Sequence, residues 1–455
     1  MTEKTNPDAD GPSRQEGESL YGKILALAVP LILANLVQQV YNLIDVFFLG
    51  RYRGSLELAA AGVSMQVSWA LIYMFVGLSV GASIVTAQSY GAKDPLRLGR
   101  AVHTTAAMSL ASGVVLVILG LIFAGTLLRL INTPDEVFPK AASYLRIHFL
   151  SMFPYIIYTM GSAVLRGVGD TRTAMKALSV SLCVKFVFAL ILVAFMGGGV
   201  EEAAYGTILA QISAAAVVTR KLVRADGPHK LWFGRIAFHW KTLAKIAAIG
   251  VPAGLQSLVQ YLANFYFQSQ VNVFGPDVVA ALVTYTRLEG FVYMPIEAFA
   301  LAAATLSGQN LGARNFPNIP RVMRETSRMS VGVTFFFSLM FMLLAPHIVA
   351  YLNPENPRAA NIALLFMSFF MPVYFLYSLT QNFGGVIRGT GEARIPMTIV
   401  LVFTCGVRVV WISFVNDSLV LLALTYPISW TCTFLAYVIY YKKGNWLTRH
   451  AKDAN

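Results

Sequence analysis

Charged side chains are scarce in this sequence. Asp, Glu, Lys and Arg together account for 13% of its 455 residues, whereas soluble domains average about 25%. Apolar residues make up 56% of the chain. So little polar surface is not enough to cover a water-soluble protein of this length, and the composition excludes ordinary soluble domains. It predicts a chain that is surrounded mainly by lipid.

Cysteine is also scarce, as are the patterns that build metal and catalytic sites. Cys183, Cys405 and Cys432 are the only cysteines, and all fall in apolar stretches, where we expect small buried hydrophobic side chains. The sequence contains no HExxH motif, no paired cysteines and no GxxxxGK[ST] phosphate loop. We therefore expect no metal site and no cofactor, and we do not expect an enzyme.

Long apolar stretches are abundant. A helix needs about 20 apolar residues to cross ~30 Å of hydrocarbon. Twelve stretches of this kind occur, at residues 24–49, 57–86, 101–130, 139–164, 173–197, 202–222, 243–274, 278–307, 326–352, 358–387, 395–415 and 418–441. The alternation typical of membrane barrels is absent, so we predict an all-α integral membrane protein with twelve transmembrane helices. The polar segment 1–22 lacks the features of a signal peptide and is expected to be a disordered cytoplasmic tail.

The formal net charge of +13 raises the question of a nucleic-acid partner. With the N-terminus placed in the cytoplasm, 26 of the 35 Lys and Arg residues lie on the cytoplasmic side and 5 lie on the opposite side. This distribution is the positive-inside asymmetry of membrane proteins. We therefore predict a multi-pass protein of the plasma (inner) membrane with both termini in the cytoplasm. Membrane lipids are expected partners and nucleic acid is not.

The second half of the chain repeats the first. KILALAVPLILANLVQQV matches KIAAIGVPAGLQSLVQYL, TAQSYGAKD matches SGQNLGARN, and VLRGVGDTR matches VIRGTGEAR. The three matches occur in the same order and at nearly the same offset, because they align Lys23 with Lys245, Gln88 with Gln309 and Arg166 with Arg388. Each repeat contains six predicted helices, an even number, so the two repeats run parallel.

The repeat divides the chain into two lobes. We predict an N-terminal six-helix lobe at 23–222, a cytoplasmic linker at 223–242, a C-terminal six-helix lobe at 243–443 and a cytoplasmic tail at 444–455. Transporters with parallel repeats bind substrate between the halves near the membrane midplane. We therefore expect a substrate path between the two lobes.

From residue 23 onward the chain resembles the multidrug and toxic compound extrusion (MATE) family. The resemblance rests on VPLILANLVQQVYNLIDVFFLG in the first span, on AQSYGA and GQNLGA, on RGVGDT and RGTGEA, and on the arrangement of two sets of six spans. It implies a V-shaped pair of helical lobes. It also implies a secondary active antiporter that exports cationic amphipathic small molecules in exchange for protons, with sodium as the less favoured coupling ion. We expect a monomer.

Asp45, near the far end of the first span, is the leading candidate for coupling, because a charge at the bilayer centre costs at least ~2.5–3.5 kcal/mol. By motif it corresponds to the span-1 aspartate that couples cation entry in the MATE family. The asparagine and aspartate that many members carry in span 5 read Lys185 and Ala189 here, while a span-6 threonine is kept as Thr207. We hypothesise an Asp45–Lys185 pair that excludes sodium. The alternative is a Lys185 that faces elsewhere.

The second half lacks a glutamate that some family members carry in span 7, since Gln260 stands at that position. Span 8 instead contains Glu289 and Glu297, which are separated by about two helical turns and so share one helix face. Both are candidate coupling residues, and an internal structural role is the alternative. Arg408 lies near the repeat equivalent of Lys185, where a brace between helices is the alternative to a substrate contact.

The remaining candidates are side chains expected to line the substrate cleft. The substrate-binding candidates are Gln38, Tyr41, Asn42, Gln66, Gln260, Asn264 and Arg408. Aromatic candidates that would offer flat faces to organic cations are Tyr41, Tyr73, Phe265, Phe291 and Tyr293. Aromatic side chains in membrane helices also serve in packing and at the interfaces, so both roles stay open.

Two other functions are considered. A flippase for a lipid-linked saccharide or another anionic lipid precursor needs a strongly cationic central cavity, which Lys185, Arg287 and Arg408 would supply if all three faced the cleft. A membrane sensor or enzyme without transport is disfavoured by the parallel repeat and by the missing catalytic cluster.

Overall fold

The computed structural model describes residues 19–415 and 418–444. The two predicted tails, at 1–22 and 444–455, therefore lie almost wholly outside the described residues. The first helix begins at Leu20, earlier than the predicted lobe boundary at residue 23. Ser19 caps this helix, because its hydroxyl oxygen accepts a hydrogen bond from the Gly22 amide at 3.2 Å.

Within the described ranges, twelve apolar helices are long enough to cross a membrane, and the predicted all-α class is confirmed. In chain order, α1 to α12 are Leu20–Tyr52, Ser55–Gly91, Pro95–Leu130, Phe138–Gly167, Thr171–Phe195, Val200–Val223, Trp240–Val273, Pro276–Gly312, Asn318–Leu352, Pro357–Gly389, Arg394–Ile412 and Leu419–Lys443. A short 3-10 turn, Phe233–Arg235, lies in the linker between α6 and α7.

Three of the spans change their helical geometry along their length. The last part of α5 is a π-helix, Ala189–Phe195, and the middle of α11 is a second one, Val400–Gly406. A 3-10 turn, Met371–Val373, interrupts α10 where Pro372 lacks a backbone donor. π-helical segments are often found at functional sites, so their positions in α5 and α11 matter below.

The turns between helices repeat as the sequence does. Lys93 and Arg314, which follow α2 and α8, both have positive φ angles, of 51° and 56°. Gly169 and Gly391, which follow α4 and α10, both have φ of 97°. These are the equivalent positions of the two sequence repeats. The repeat is therefore also a repeat of backbone conformation.

Helices α1–α6 and α7–α12, which we call the N-lobe and the C-lobe, each contain a large apolar core with buried aromatic side chains. Tyr144 and Phe149 lie in the core of the N-lobe. Phe366 and Phe370 stack in the core of the C-lobe with ring centroids 5.7 Å apart. The N-lobe core also includes Ile246 and Ile249 of α7, whereas the C-lobe core is filled by residues of its own lobe.

The lobes approach each other most closely along α2 and α7. Each of these helices carries a GxxxG pattern, formed by Gly77 and Gly81 on α2 and by Gly250 and Gly254 on α7. A Cβ atom at any of these four glycines would collide with the backbone of the other helix. Small residues at this spacing let membrane helices approach closely. We call this contact the glycine clasp.

Reciprocal hydrogen bonds also join the lobes where α2 and α8 end. We call this the motif end, because AQSYGA and GQNLGA lie there. The side-chain amide of Gln88 donates to the carbonyl of Gly389 at 3.0 Å, and that of Gln309 donates to the carbonyl of Gly167 at 2.9 Å. The four residues are repeat equivalents, so the two bonds are related by the pseudo-two-fold axis. They hold the lobes together at the motif end.

Candidate functional site

A buried ion pair connects α1 and α5. The ammonium nitrogen of Lys185 lies 2.8 Å from Oδ2 of Asp45, and each side chain is only 2% exposed. The sequence left open whether Lys185 pairs with Asp45 or faces elsewhere. In the structure it pairs with Asp45. In a protein interior, removing one partner of such a pair costs about 3–5 kcal/mol, because an uncompensated charge stays buried. The two residues are therefore strongly coupled to each other.

Aromatic and amide groups surround this pair. The Tyr144 hydroxyl donates to Oδ2 of Asp45 at 3.4 Å, and the Lys185 ammonium lies 4.0 Å from the centroid of the Tyr41 ring. Gln211 donates its amide to the Tyr41 hydroxyl at 3.0 Å and so fixes that ring. The second carboxylate oxygen of Asp45 is buried and has no hydrogen-bond partner. The carboxylate thus keeps one unused acceptor atom.

A small cavity of about 110 Å³ lies beside the pair in the N-lobe. Among the predicted residues, those that line it are Gln38, Tyr41, Asn42, Lys185 and Thr207. The Gln38 amide donates to the Asn42 side-chain oxygen at 3.1 Å. The Thr207 hydroxyl donates to the backbone carbonyl of Ala203, in its own helix, at 3.2 Å. The cavity is large enough for a few water molecules but not for a drug-sized ligand.

In the C-lobe, the carboxyl group of Glu289 is at the end of a chain of hydroxyl groups. The Tyr374 hydroxyl donates to Glu289, and the Tyr285 hydroxyl donates to that of Tyr374 at 3.2 Å. Glu297 lies two turns further along α8 and lines neither cavity. The two glutamates therefore have different surroundings although they share a helix face.

Arg408 is a buried basic residue of the C-lobe. Its side chain is 1% exposed, and its guanidinium carbon lies 4.2 Å from the centroid of the Tyr426 ring. One terminal nitrogen donates to the side-chain oxygen of Asn264. The Nε atom is buried and has no partner. The guanidinium thus retains donor capacity that the protein does not use.

The π-helix in α11 explains the register of Arg408. The motifs before α5 and α11 align Arg166 with Arg388, and the same offset would make Val407 the equivalent of Lys185. The π-helix Val400–Gly406 ends just before Val407, and a π-helical turn accommodates an extra residue. The basic side chain is therefore found one position later. Both lobes contain a buried cation in their fifth helix.

A larger cavity of about 390 Å³ lies in the C-lobe and reaches α2 of the N-lobe. Nine of its eighteen lining residues are aromatic, so aromatic rings form about half of its wall. The predicted residues that line it are Tyr73, Gln260, Asn264, Glu289, Tyr293 and Arg408. Its volume lies within the range of about 300–1,000 Å³ that is usual for small-molecule sites.

Three predicted substrate contacts lie outside both cavities and stay predictions. Gln66, Phe265 and Phe291 have exposed side chains and line neither cavity. Gln66 is two residues from Ser68, which does line the N-lobe cavity, and two residues correspond to about 200° around a helix. Phe265 and Phe291 directly follow lining residues and are rotated by about 100° from them. The three residues therefore lie on turns that contribute to the cavities, but on other faces of their helices.

Several residues of the two sites were not predicted. In the N-lobe these are Tyr144, His148 and Gln211, and in the C-lobe Tyr374, Tyr426 and Trp430. Tyr144 and His148 are separated by about one turn of α4, and their rings stack at 5.6 Å. A Tyr and a His at helical spacing inside an apolar span are a signal that could have been used. The C-lobe aromatic residues have no such signal, since the span sequences contain many aromatic residues.

The sequence of this chain is similar to those of known proteins. A family profile described as MatE matches residues 30–191 and 252–412. The two matched segments correspond to the two sequence repeats. The chain is 27% identical to "Probable multidrug resistance protein YoeA" of Bacillus subtilis, over 86% of each chain. It is 24% identical to "Probable multidrug resistance protein NorM" of Thermotoga maritima, over 89% of this chain and 91% of that protein.

Among solved structures, the fold is similar to one described as an "Outward-facing conformation of a multidrug resistance MATE family transporter of the MOP superfamily". The TM-score is 0.86 at 22% sequence identity, with 96% of this chain and 97% of the other covered. At this identity the likeness concerns the fold.

Proposed function

This chain belongs to the MatE family of multidrug efflux transporters, and we propose that it exports amphipathic small molecules bearing a cationic group in exchange for protons. The two relatives from Bacillus subtilis and Thermotoga maritima are both named as probable multidrug resistance proteins, which supports the export of small organic compounds. The choice of protons over sodium rests on the buried Asp45–Lys185 pair.

We further propose that the protein lies in the inner membrane with its motif end in the cytoplasm, because most Lys and Arg residues outside the spans lie on that side.

The ion pair favours a proton as the coupling ion. The Lys185 ammonium occupies the space in front of the Asp45 carboxylate that a sodium ion would need. A second cation there would be repelled by Lys185, whereas a proton binds to the carboxylate itself and removes its charge. The unpartnered Oδ1 of Asp45 is an available acceptor for that proton. Protonation breaks the ion pair and leaves Lys185 without its counter-charge, which destabilises this arrangement of the N-lobe.

Protonation of Asp45 would affect the contacts between the two lobes. The lobes are joined at the motif end by the Gln88 and Gln309 hydrogen bonds and by the glycine clasp. Both cavities lie further toward the opposite end of the spans. With the motif end in the cytoplasm, this conformation faces outward. In our proposal, protonation of Asp45 favours rearrangement of the N-lobe and opening of the motif end.

The experiment that tests this function measures efflux of a fluorescent organic cation from proteoliposomes. A proton gradient or a sodium gradient is imposed separately, on the wild type, Asp45→Asn and a control. Asp277→Asn is the matched control, since Asp277 is an acid near the outer end of α8 that bonds to Asn356 and Arg358 and lines neither cavity. We expect efflux driven by the proton gradient in the wild type and the control, and loss of efflux in Asp45→Asn.

Efflux driven by the sodium gradient would contradict the proton coupling. Absence of efflux under both gradients would contradict export of organic cations. The flippase alternative would then gain weight, but one of its requirements is missing. The Arg287 side chain is exposed and lines neither cavity, so the three cations do not converge on one cleft.

A further inference from the structure

A groove of about 520 Å³ opens between α9, α10 and α12 of the C-lobe. It shares no lining residue with the two cavities described above. Most of its wall is apolar, with two arginines of α9 at one end. The lining residues that matter here are Arg324, Arg328, Val331, Leu379, Phe383, Phe434 and Tyr441.

The two arginines lie where α9 enters the membrane. This helix has 35 residues and is therefore about 52 Å long, which exceeds the ~30 Å of hydrocarbon. The segment from Met329 to Leu352 contains no Asp, Glu, Lys or Arg, whereas several charged residues precede it. The apolar part of the helix thus begins directly after Arg328. Both arginines of the groove are therefore at the level of the lipid headgroups.

The groove changes from polar to apolar along its length. α9 begins at the motif end, and α10 and α12 end there. Arg324 and Tyr441 are therefore close to the headgroups, whereas Val331, Leu379 and Phe434 lie deeper in the spans. A phospholipid has the same order, because its charged phosphate is followed by apolar acyl chains.

The charge around the groove is mainly positive. Lys442 and Lys443 are exposed at the end of α12 and add to the charge of the two arginines. The acidic residue Glu325 accepts a hydrogen bond from the Tyr21 hydroxyl of α1 at 2.5 Å and pairs with Arg328 at 3.1 Å. Four basic residues and one acidic residue thus surround this end of the groove. An anionic headgroup complements this charge, and basic pockets between membrane helices bind such headgroups.

The equivalent groove of the N-lobe is closed by the linker. It lies between α3, α4 and α6, where Gly161 stands at the repeat equivalent of Phe383, and its volume is only about 30 Å³. Leu231 of the linker lines it. The backbone amide of Trp232, the next residue, donates to Nε2 of His103 at 3.2 Å. In the N-lobe, the chain itself therefore covers this surface.

The arginines are specific to the C-lobe. The offset that aligns Gln88 with Gln309 places His103 at the position of Arg324 and Ala107 at the position of Arg328. The two added positive charges thus occur in the lobe whose groove the linker does not cover. This difference between the repeats points to an occupant that carries negative charge.

The other candidate occupant is the segment 445–455, which lies outside the described residues and follows α12 as the linker follows α6. Its sequence does not suit the groove. Asp453 stands at the repeat equivalent of Leu231, so the apolar residue that fills the N-lobe groove is replaced by a charged one. The segment also contains Arg449 and Lys452, which would bring like charge to the groove arginines.

We propose that this groove binds an anionic phospholipid, with its phosphate at Arg324 and Arg328 and an acyl chain along Val331 and Phe434. A zwitterionic phospholipid binds less tightly, because the arginines repel its ammonium group. The site is separate from the export path and does not depend on what the protein exports.

The test uses phosphatidylglycerol and phosphatidylethanolamine that carry the same photoreactive diazirine in one acyl chain. Each lipid is titrated onto the purified full-length protein in detergent, and labelled peptides are located by mass spectrometry. We expect phosphatidylglycerol to label the segments that contain Val331 and Phe434 at a lower concentration than phosphatidylethanolamine. A basic residue near an anionic lipid contributes about fivefold in affinity, so Arg324→Gln/Arg328→Gln should raise the half-maximal concentration of phosphatidylglycerol about 30-fold.

Three further variants separate this site from general attraction to the protein surface. Arg321→Gln removes an exposed arginine of the same helix that does not line the groove, and it should leave the labelling unchanged. Arg324→Lys/Arg328→Lys keeps both charges and should retain labelling, which shows that loss in the glutamine variant follows from loss of charge. Val331→Trp fills the apolar part of the groove and should reduce the labelling near Phe434 with both arginines in place.

Equal labelling by the two lipids, or labelling that survives Arg324→Gln/Arg328→Gln, would overturn the proposal. Glycerol 3-phosphate has the phosphate without the acyl chains, so displacement of the lipid by this compound would indicate a site for soluble phosphates and would also overturn it. Absence of labelling in the wild type would do the same and would favour the segment 445–455 as the occupant. Export of organic cations stands in each of these cases, since efflux is measured separately.

Discussion

The ammonium of Lys185 lies 2.8 Å from the carboxylate of Asp45, and both side chains are almost fully buried between α1 and α5. A buried pair of this kind contributes little net stability compared with apolar residues, but each partner makes the other tolerable in the membrane. This reciprocal dependence leads to two predictions, one on stability and one on ion selectivity.

Removal of one partner should destabilise the protein more than removal of both. Lys185→Met leaves Asp45 charged and buried, and we expect a loss of about 3–5 kcal/mol of folding stability. The double variant Asp45→Asn/Lys185→Met contains no buried charge at this position and should recover most of the loss. Unfolding in detergent, followed by intrinsic fluorescence, measures both effects. A double variant less stable than Lys185→Met would mean that the pair stabilises the N-lobe through other contacts.

Removal of the Lys185 charge should also admit sodium. In Lys185→Asn, a neutral amide takes the place of the ammonium group. The Asp45 carboxylate and the amide would then offer oxygen ligands to a cation in this cavity. We expect sodium chloride to raise the unfolding temperature of Lys185→Asn relative to choline chloride at equal ionic strength. The wild type should show no difference between the two salts. Sodium stabilisation of the wild type would contradict exclusion by Lys185.

The glycine clasp should not tolerate side chains. A Cβ atom at Gly77 would collide with the α7 backbone at Gly254, so Gly77→Leu must separate the two helices. We expect this variant to lose transport and to unfold at a lower temperature. Gly62→Ala, also on α2, has no atom within 4 Å of the added Cβ and serves as the control. Full transport by Gly77→Leu would show that the lobes can function without close approach of α2 and α7.

The reciprocal amide bonds should stabilise the closed motif end. Gln88→Ala removes the hydrogen bond to Gly389 and Gln309→Ala removes the bond to Gly167, each worth about 0.5–1.5 kcal/mol. Each substitution should therefore increase the population of the open motif end about 2- to 10-fold.

Distances between spin labels at Lys93 and Arg394, which are exposed on opposite lobes at the motif end, measure this population. The control is Gln268→Ala, since Gln268 bonds to the nearby Asn272 of its own helix. An unchanged distance distribution in Gln88→Ala and Gln309→Ala would mean that these bonds do not keep the motif end closed.

Hydrophobic run length was sufficient to predict the helices, because a span must satisfy all of its backbone groups internally and needs about 20 apolar residues. The internal repeat could also be read from the sequence, and the structure repeats it in backbone conformation, since Gly169 and Gly391 have the same φ angle. The intramembrane charges Asp45, Lys185, Glu289 and Arg408 could be selected because they are expensive in lipid. The sequence could not decide whether side chains such as Gln66 and Phe265 line a cavity, because a difference of one or two residues turns a side chain by about 100° or 200°.

Composition and periodicity by themselves establish a twelve-helix membrane protein with an internal repeat, since lipid as a solvent permits few alternatives to the helix. They also identify which residues carry charge into the membrane. Only the packing of helices distant in sequence decides that Lys185 contacts Asp45 whereas Arg408 contacts Asn264. Whether two such residues form an ion pair depends on helix rotation and, in α11, on the π-helix that precedes Arg408. Local sequence patterns specify neither the rotation of a helix nor the position of a π-helix.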